Sequence, residues 1–119
     1  IVKSITQAHG GKAEIEFKAF ANPVINDEAS SLFAAKIAKN IVGEDNVITN
    51  QEKALGADDF ADFQAVVPGV YAHIGSRDPQ DKGTHYPHHN ERFNIDDKCL
   101  LVATNFYIQY ALEYLNKSN

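Results

Sequence analysis

The sequence predicts an α/β fold, on three observations. Residues 13–20 alternate apolar and polar side chains, two segments repeat apolar positions at helical spacing, and short β-like runs lie between those helical segments. The alternation at 13–20 puts Ala13, Ile15, Phe17 and Ala19 on one side and Glu14, Glu16 and Lys18 on the other. That pattern predicts a half-buried strand with a wet outer face, as in an antiparallel sheet.

Taken in order, the elements have local causes. Residues 2–9 read as the last turns of a helix, stopped by Gly10-Gly11, because glycine takes the left-handed cap conformation at little cost. Asn22-Pro23 breaks the strand that follows. Asp27 is a good N-cap and Glu28 suits the positive helix end, so a helix starts there. Ala29, Leu32, Phe33, Ile37 and Ile41 carry its apolar stripe, and Gly43 closes it. A short strand is expected at 46–49. The Gly56-Ala57-Asp58-Asp59 turn caps a short helix over 59–66, ended by Pro68-Gly69. Residues 70–74 read as a strand ending at Gly75. Residues 76–92 form the least regular stretch, a loop expected to lack secondary structure of its own, and long loops are often functional. Asp96-Asp97 caps a final helix running to about Leu115. Its expected stripe is Leu100, Leu101, Thr104, Tyr107, Ile108, Ala111, Leu112 and Leu115. Tyr107, Tyr110 and Tyr114 are read as packing residues on that helix.

Composition narrows the function classes. The 119 residues are one ordinary domain or a piece of a larger one. With 44% hydrophobic and 23% charged residues, the chain does not read as disordered. A net charge of −5 gives no basic face for a nucleic acid. No apolar run approaches the roughly 18 residues a membrane span needs. The single cysteine, Cys99, excludes an internal disulfide, favours a reducing, cytoplasmic setting, and is read as a buried structural residue. The chain opens Ile1-Val2-Lys3, contains no Met and shows no signal-peptide pattern, so a processed or truncated chain is expected.

Two features could carry chemistry. His73, His85, His88 and His89 fall within 17 residues, and neutral imidazole is a common ligand for zinc and similar ions. No paired-ligand spacing such as His-Glu-x-x-His accompanies them, and one imidazole cannot hold zinc alone. The plain alternative is a set of surface and loop histidines, with His73 packing in its strand. The Asp58-Asp59 pair either stabilises a helix start or orients a ligand.

Read together, several motifs resemble a known family. They are Gly56-Ala57-Asp58-Asp59-Phe60, Val67-Pro68-Gly69-Val70-Tyr71, Ile74-Gly75, and Pro87-His88-His89-Asn90-Glu91-Arg92-Phe93-Asn94-Ile95-Asp96-Asp97. A long helix ending Ala111-Leu112-Glu113-Tyr114-Leu115 follows them. In order and spacing they resemble the C-terminal end of the aminoacylase-like metal-dependent amidohydrolases. That group includes hippurate hydrolase and indole-acetyl-amino-acid hydrolase and is related to carboxypeptidase G. His9-Gly10-Gly11-Lys12-Ala13-Glu14-Ile15-Glu16 and Pro23-Val24-Ile25-Asn26-Asp27 are similar to the end of the family's lid domain and its return to the catalytic domain.

The resemblance implies the architecture and the site. Residues 1–22 would be the last helix and strand of a ferredoxin-like lid and dimerisation domain. Residues 23–119 would be the C-terminal part of a zinc-peptidase-like catalytic domain. The family's metal-ligand histidine stands four residues before a phenylalanine, which maps to His89, counting back from Phe93; His88 is its neighbour and competitor for the role. Asn90-Glu91 departs from the usual Ser-Pro pair. Asp58 stands where the family carries Glu, and Asp59 matches the family aspartate. Gly56, Asp59 and His88 are the implied substrate-binding residues, and no catalytic residue is implied within the chain.

The implied reaction is hydrolysis of the amide bond of N-acyl amino acids, related small amides or peptides. It would use a water activated by two divalent metals per complete enzyme, which could be zinc, manganese, cobalt or nickel. The remaining ligands and the general base match nothing here, so the 119 residues alone are expected to be inactive. The implied full-length enzyme is a homodimer or homo-oligomer, with neither nucleic acid nor membrane as partner. Two alternatives stay open: a stand-alone α/β binding module with a histidine-rich surface loop, and a self-contained metal site built from the four histidines.

Overall fold

A computed structural model describes residues 1–18 and 20–117 of the chain. Four α-helices are joined by long irregular segments. They are α1 (Val2–Ala8), α2 (Glu28–Val42), α3 (Phe60–Gln64) and α4 (Lys98–Lys117), with short 3-10 turns at Glu44–Asn46 and Lys82–His85.

The helix ends follow local chemistry. At the end of α1 the Gly11 N–H donates to the Thr6 carbonyl and the Gly10 N–H to the Gln7 carbonyl, both at 2.9 Å, with Gly10 at φ 75°. This is the paired-bond glycine stop expected from Gly10-Gly11. At the start of α2 the Asp27 carboxylate accepts from the Ser30 N–H at 2.8 Å. Gly43, at φ 84°, ends that helix. At α4 the Asp96 carboxylate accepts from the Lys98 N–H at 3.1 Å. Helix α3 is shorter than the expected 59–66 and is capped differently. Asp59 precedes it without a side-chain cap bond, and Asp58 accepts the Phe60 N–H instead, at 2.9 Å.

The core is the contact between α2 and α4. Phe33, Ala34 and Ile37 of α2 pack on Phe106 of α4, flanked by Ala38, Ile41, Val70 and Tyr110. Tyr110 meets Phe33 edge to face, ring centroids 5.0 Å apart. The face of α4 in use is therefore Val102, Phe106 and Tyr110, spaced by four. That corrects the expected stripe: Leu100, Leu101, Tyr107, Ile108, Leu112 and Leu115 are all exposed. Outside a polar stripe at Asn105, Gln109 and Glu113 the helix is apolar on more than one side, so periodicity alone could not choose which of those sides turns inward. Cys99 is a free, half-buried thiol, less enclosed than expected.

The α/β expectation is met in its helices and not in its strands. Among the described residues there is no β-ladder. Residues 13–18, 47–49 and 70–74 carry neither helix nor ladder, and Ala19 of the first expected strand lies outside the described residues. The physical reason is that a strand exists only against a neighbour. Phe17, expected on a buried face, is 93% exposed. At 70–74 a side chain takes the neighbour's place: Asn26 accepts the Tyr71 N–H at 2.7 Å and donates to the Tyr71 carbonyl at 2.9 Å.

The chain is also open. Its radius of gyration is 20.6 Å, against about 13.5 Å for a compact domain of this length. Its accessible surface is 10522 Å², where a compact monomer of this mass exposes about 6,400 Å². Between α2, α4, residues 46–51 and residues 70–75 lies a groove of about 970 Å³, lined by apolar side chains and by polar ones that include Asn26, Asn46, Gln51, Tyr71 and His73.

The 76–92 loop has structure of its own, contrary to expectation. Asp81 accepts from the Gly83 N–H and caps the 3-10 turn Lys82–His85. Thr84 is buried, and its hydroxyl accepts the Asp78 N–H at 2.9 Å and donates to the Asp81 carbonyl at 2.8 Å. The loop closes where the Asp96 N–H meets the Ser76 carbonyl at 2.8 Å.

Candidate functional site

The histidine turn comes first. Residues 87–93 fold back on themselves. The Asn90 N–H donates to the Pro87 carbonyl, the Phe93 N–H to the Asn90 carbonyl, and the Arg92 N–H to the Asn90 carboxamide. This turn holds His89 at φ 64°, the one non-glycine residue with positive φ among those described. Left-handed backbone is uncommon outside glycine, although histidine is among the residues that adopt it most readily, and such residues gather at functional sites. Asn90, which departs from the family's usual residue, supplies both the carbonyl and the carboxamide that close the turn. His88 is placed differently: its ring lies 4.6 Å from that of Phe93. Both imidazoles are exposed, and neither lines the large groove.

His85 and His73 go elsewhere. His85 Nε2 lies 2.8 Å from the Asp78 carbonyl. A carbonyl can only accept, so Nε2 is the donor in this contact. His73 stacks edge-on against Tyr71, centroids 5.2 Å apart, at the groove wall. Among the described residues no three His, Cys, Asp or Glu side chains come together as a metal cluster. The self-contained four-histidine metal site is therefore overturned: the four rings sit on three different segments with different partners.

The second part is the 56–59 turn. Gly56 and Asp59 are exposed, and nothing lies within 4 Å of a Cβ built on Gly56, so its backbone is open to approach. Asp58, between them, is tied on both oxygens. Oδ1 accepts the Phe60 N–H and Oδ2 accepts the Tyr71 hydroxyl, each at 2.9 Å. These bonds hold the Asp58 carboxyl below the usual carboxylate range, first through the Phe60 amide and next through Tyr71. The same bond to Asp58 holds the Tyr71 phenol above its ordinary value, aided by burial.

Tyr71 is fixed at both ends. Its ring packs against Phe60 at 5.6 Å, and its backbone is clasped by Asn26. Gln64 completes the clasp, donating to Asn26 Oδ1 and to the Gly69 carbonyl and accepting the Ile25 N–H. The 56–59 turn is legible in the sequence, whereas the parts played by Asn26, Gln64 and Tyr71 in holding it are not. No local signal marks them, because Asn26 and Tyr71 are 45 residues apart. No hydrogen bond, ion pair or ring contact among the described residues joins the 56–59 turn to His88 or His89.

The donor chemistry fits a metal only in part. Zinc or a similar ion needs three or four ligands, and the chain presents a single preformed histidine turn. His89 fits the role of one donor within a larger set.

The comparisons with known proteins agree with one another. A family model described as peptidase family M20/M25/M40 matches residues 2–113. Thermostable carboxypeptidase 2 of Saccharolobus solfataricus is 30% identical over 118 residues, which are 98% of this chain and 29% of that protein. Hippurate hydrolase of Campylobacter jejuni is 29% identical over 97% of this chain and 28% of its own length. N-acetylcysteine deacetylase of Bacillus subtilis is 27% identical over 94% of this chain and 27% of its own length. The chain thus spans less than a third of the length of these relatives. No solved structure matches it. No helix among the described residues is long and apolar enough to cross a membrane.

Proposed function

The chain belongs to the peptidase family M20/M25/M40, and from that premise we propose that it is the C-terminal part of a metal-dependent hydrolase of linear amides. Its substrates are N-acyl amino acids or related small amides and peptides, the class to which the names of its relatives point. Residues 1–22 belong to the lid and dimerisation domain, and residues 23–119 to the catalytic domain of a homodimer or homo-oligomer.

The observation that carries this reading is His89. It is the histidine four residues before Phe93, and it sits exposed in a left-handed turn outside the large groove, so this reading requires that further polypeptide complete the pocket around it. In the complete enzyme His89 is one donor to a divalent ion, which supplies Lewis acidity to amide hydrolysis. Asn90 closes the backbone turn that carries His89. His88, against Phe93, stands beside it on the substrate side. Gly56 offers open backbone to the substrate, and Asp59 orients the site from the start of α3.

The openness of the chain supports this reading over a stand-alone module. Exposed apolar side chains such as Phe17, Leu55 and Leu101 are what a domain shows where further polypeptide covers it.

The test uses hydrolysis of N-acetyl and N-benzoyl amino acids with zinc or manganese added. The 119-residue chain alone is expected to give no turnover, and clear turnover by it overturns the claim that more polypeptide is needed. In the full-length protein, His89→Ala is expected to lower kcat/KM by more than about 100-fold, the upper end of what loss of a ligand's supporting partner costs. Wild-type activity in that variant, with loss in His88→Ala, moves the ligand to His88.

A further inference from the structure

We infer that Tyr71 is a positioning residue that sets the 56–59 turn for substrate through the bond from its hydroxyl to Asp58. The inference rests on the proposed role of that turn.

The Ala61 and Asp62 N–H groups tie the Asp58 and Asp59 carbonyls to the first turn of α3. The other half of the turn has less to hold it: Gly56 and Ala57 are exposed, Asp59 makes no side-chain cap bond, and a glycine turn left to itself samples many conformations. Asp58 is the point of attachment. One carboxylate oxygen takes the first amide of α3 and the other takes the Tyr71 hydroxyl, 13 residues further along. A carboxylate bridging two donors fixes both its own rotamer and the backbone beside it, and charge-assisted bonds are the strong ones.

Tyr71 is suited to be the fixed end. Its N–H and carbonyl are both bonded to Asn26, next to the Asp27 cap of α2, and the Asp27 N–H is bonded to the Gly69 carbonyl. The position of α2 is thereby carried through Asn26 and the Tyr71 ring to Asp58, and so to Gly56 and Asp59 on either side. The raised phenol and lowered carboxyl keep the bond in one sense, hydroxyl donating and carboxylate accepting, across the neutral pH range.

The test compares wild type, Tyr71→Phe, Asp58→Ala and the double variant in the full-length protein. Tyr71→Phe keeps the ring packed on Phe60 and His73 and removes only the hydroxyl. It is expected to raise KM for an N-acetyl or N-benzoyl amino acid about tenfold, the size of one lost bond to a charged group, with kcat within about twofold. Asp58→Ala is expected to raise KM at least as much, and the double variant no more than Asp58→Ala alone. Additive effects in the double variant, or an unchanged KM in Tyr71→Phe, overturn the inference.

Hydrogen exchange at the Phe60 amide reads the same bond without substrate. Tyr71→Phe is expected to speed it about tenfold, and unchanged exchange overturns the inference whatever the assay shows. Faster exchange in a protein that hydrolyses none of these amides even as wild type overturns the proposed function and leaves the Tyr71 attachment standing.

Discussion

The contact between α2 and α4 and the clasp around Tyr71 hold together by opposite means. In the first, Phe33, Ala34, Ile37 and Phe106 leave water, and Ile37 retains 1% of its surface. In the second Asp58, Gln64 and Tyr71 are only half-buried and Asn26 is exposed, and Asn26, Gln64 and Asp58 bond to backbone, to phenol and to one another. The lesson concerns extended chain. A helix satisfies its own backbone and needs only an apolar partner, whereas an extended segment must borrow its hydrogen bonds. Here a carboxamide, which offers a donor and an acceptor side by side, takes the role of a neighbouring strand.

The contrast can be broken from either side. The largest effect is expected from Ile37→Ala, which opens a cavity in the helix pair and should lower unfolding stability of the full-length protein by about 3 kcal/mol. Urea unfolding measures it, and a loss under about 1 kcal/mol would mean that the α2–α4 contact is not the main core. Asn26→Ala comes next. It removes two bonds to Tyr71 and one to Gln64, at an expected cost of about 2 kcal/mol. If it costs nothing, the carboxamide is no substitute for a strand.

Acid should separate the two regions. Asp27 and Asp58 are both held below the ordinary carboxylate range, Asp27 chiefly by the Ser30 amide and Asp58 chiefly by the Phe60 amide. A carboxyl lowered in the folded state stabilises above its unfolded value, about 3.9, and that contribution is lost as pH falls through the lower folded value. The α2 cap and the 56–59 turn should therefore loosen below about pH 4, while the apolar Phe33–Ile37–Phe106 contact has no titrating group. Amide exchange at Ser30 and Phe60 against Ile37 across that range checks it. The smallest effect is expected from Lys36→Gln. Its pairing with Glu113 at 3.9 Å is largely exposed, so the change should stay within about 0.5 kcal/mol.

How much was legible follows from these residues. Asp27, Gly43, Gly10-Gly11 and Asp96 act within four or five positions of themselves, and the helix limits they set were readable at sight. The histidine turn was legible as a motif, through the spacing of His89 and Phe93. Its left-handed backbone was not, because nothing in the residue name His89 demands positive φ. The clasp was illegible, since Asn26, Gln64 and Tyr71 are far apart in sequence and each is an ordinary residue where it stands.

By itself the sequence determined the helix starts and stops, the family and the candidate ligand, because caps, glycine stops and motif spacing are local properties of the chain. Only the tertiary structure decided which face of α4 turns inward, that Asp58 is tied to Tyr71, and that the expected strands carry no ladder. Those outcomes depend on which surfaces meet and which backbone groups find partners, and no stretch of sequence records its neighbours in space.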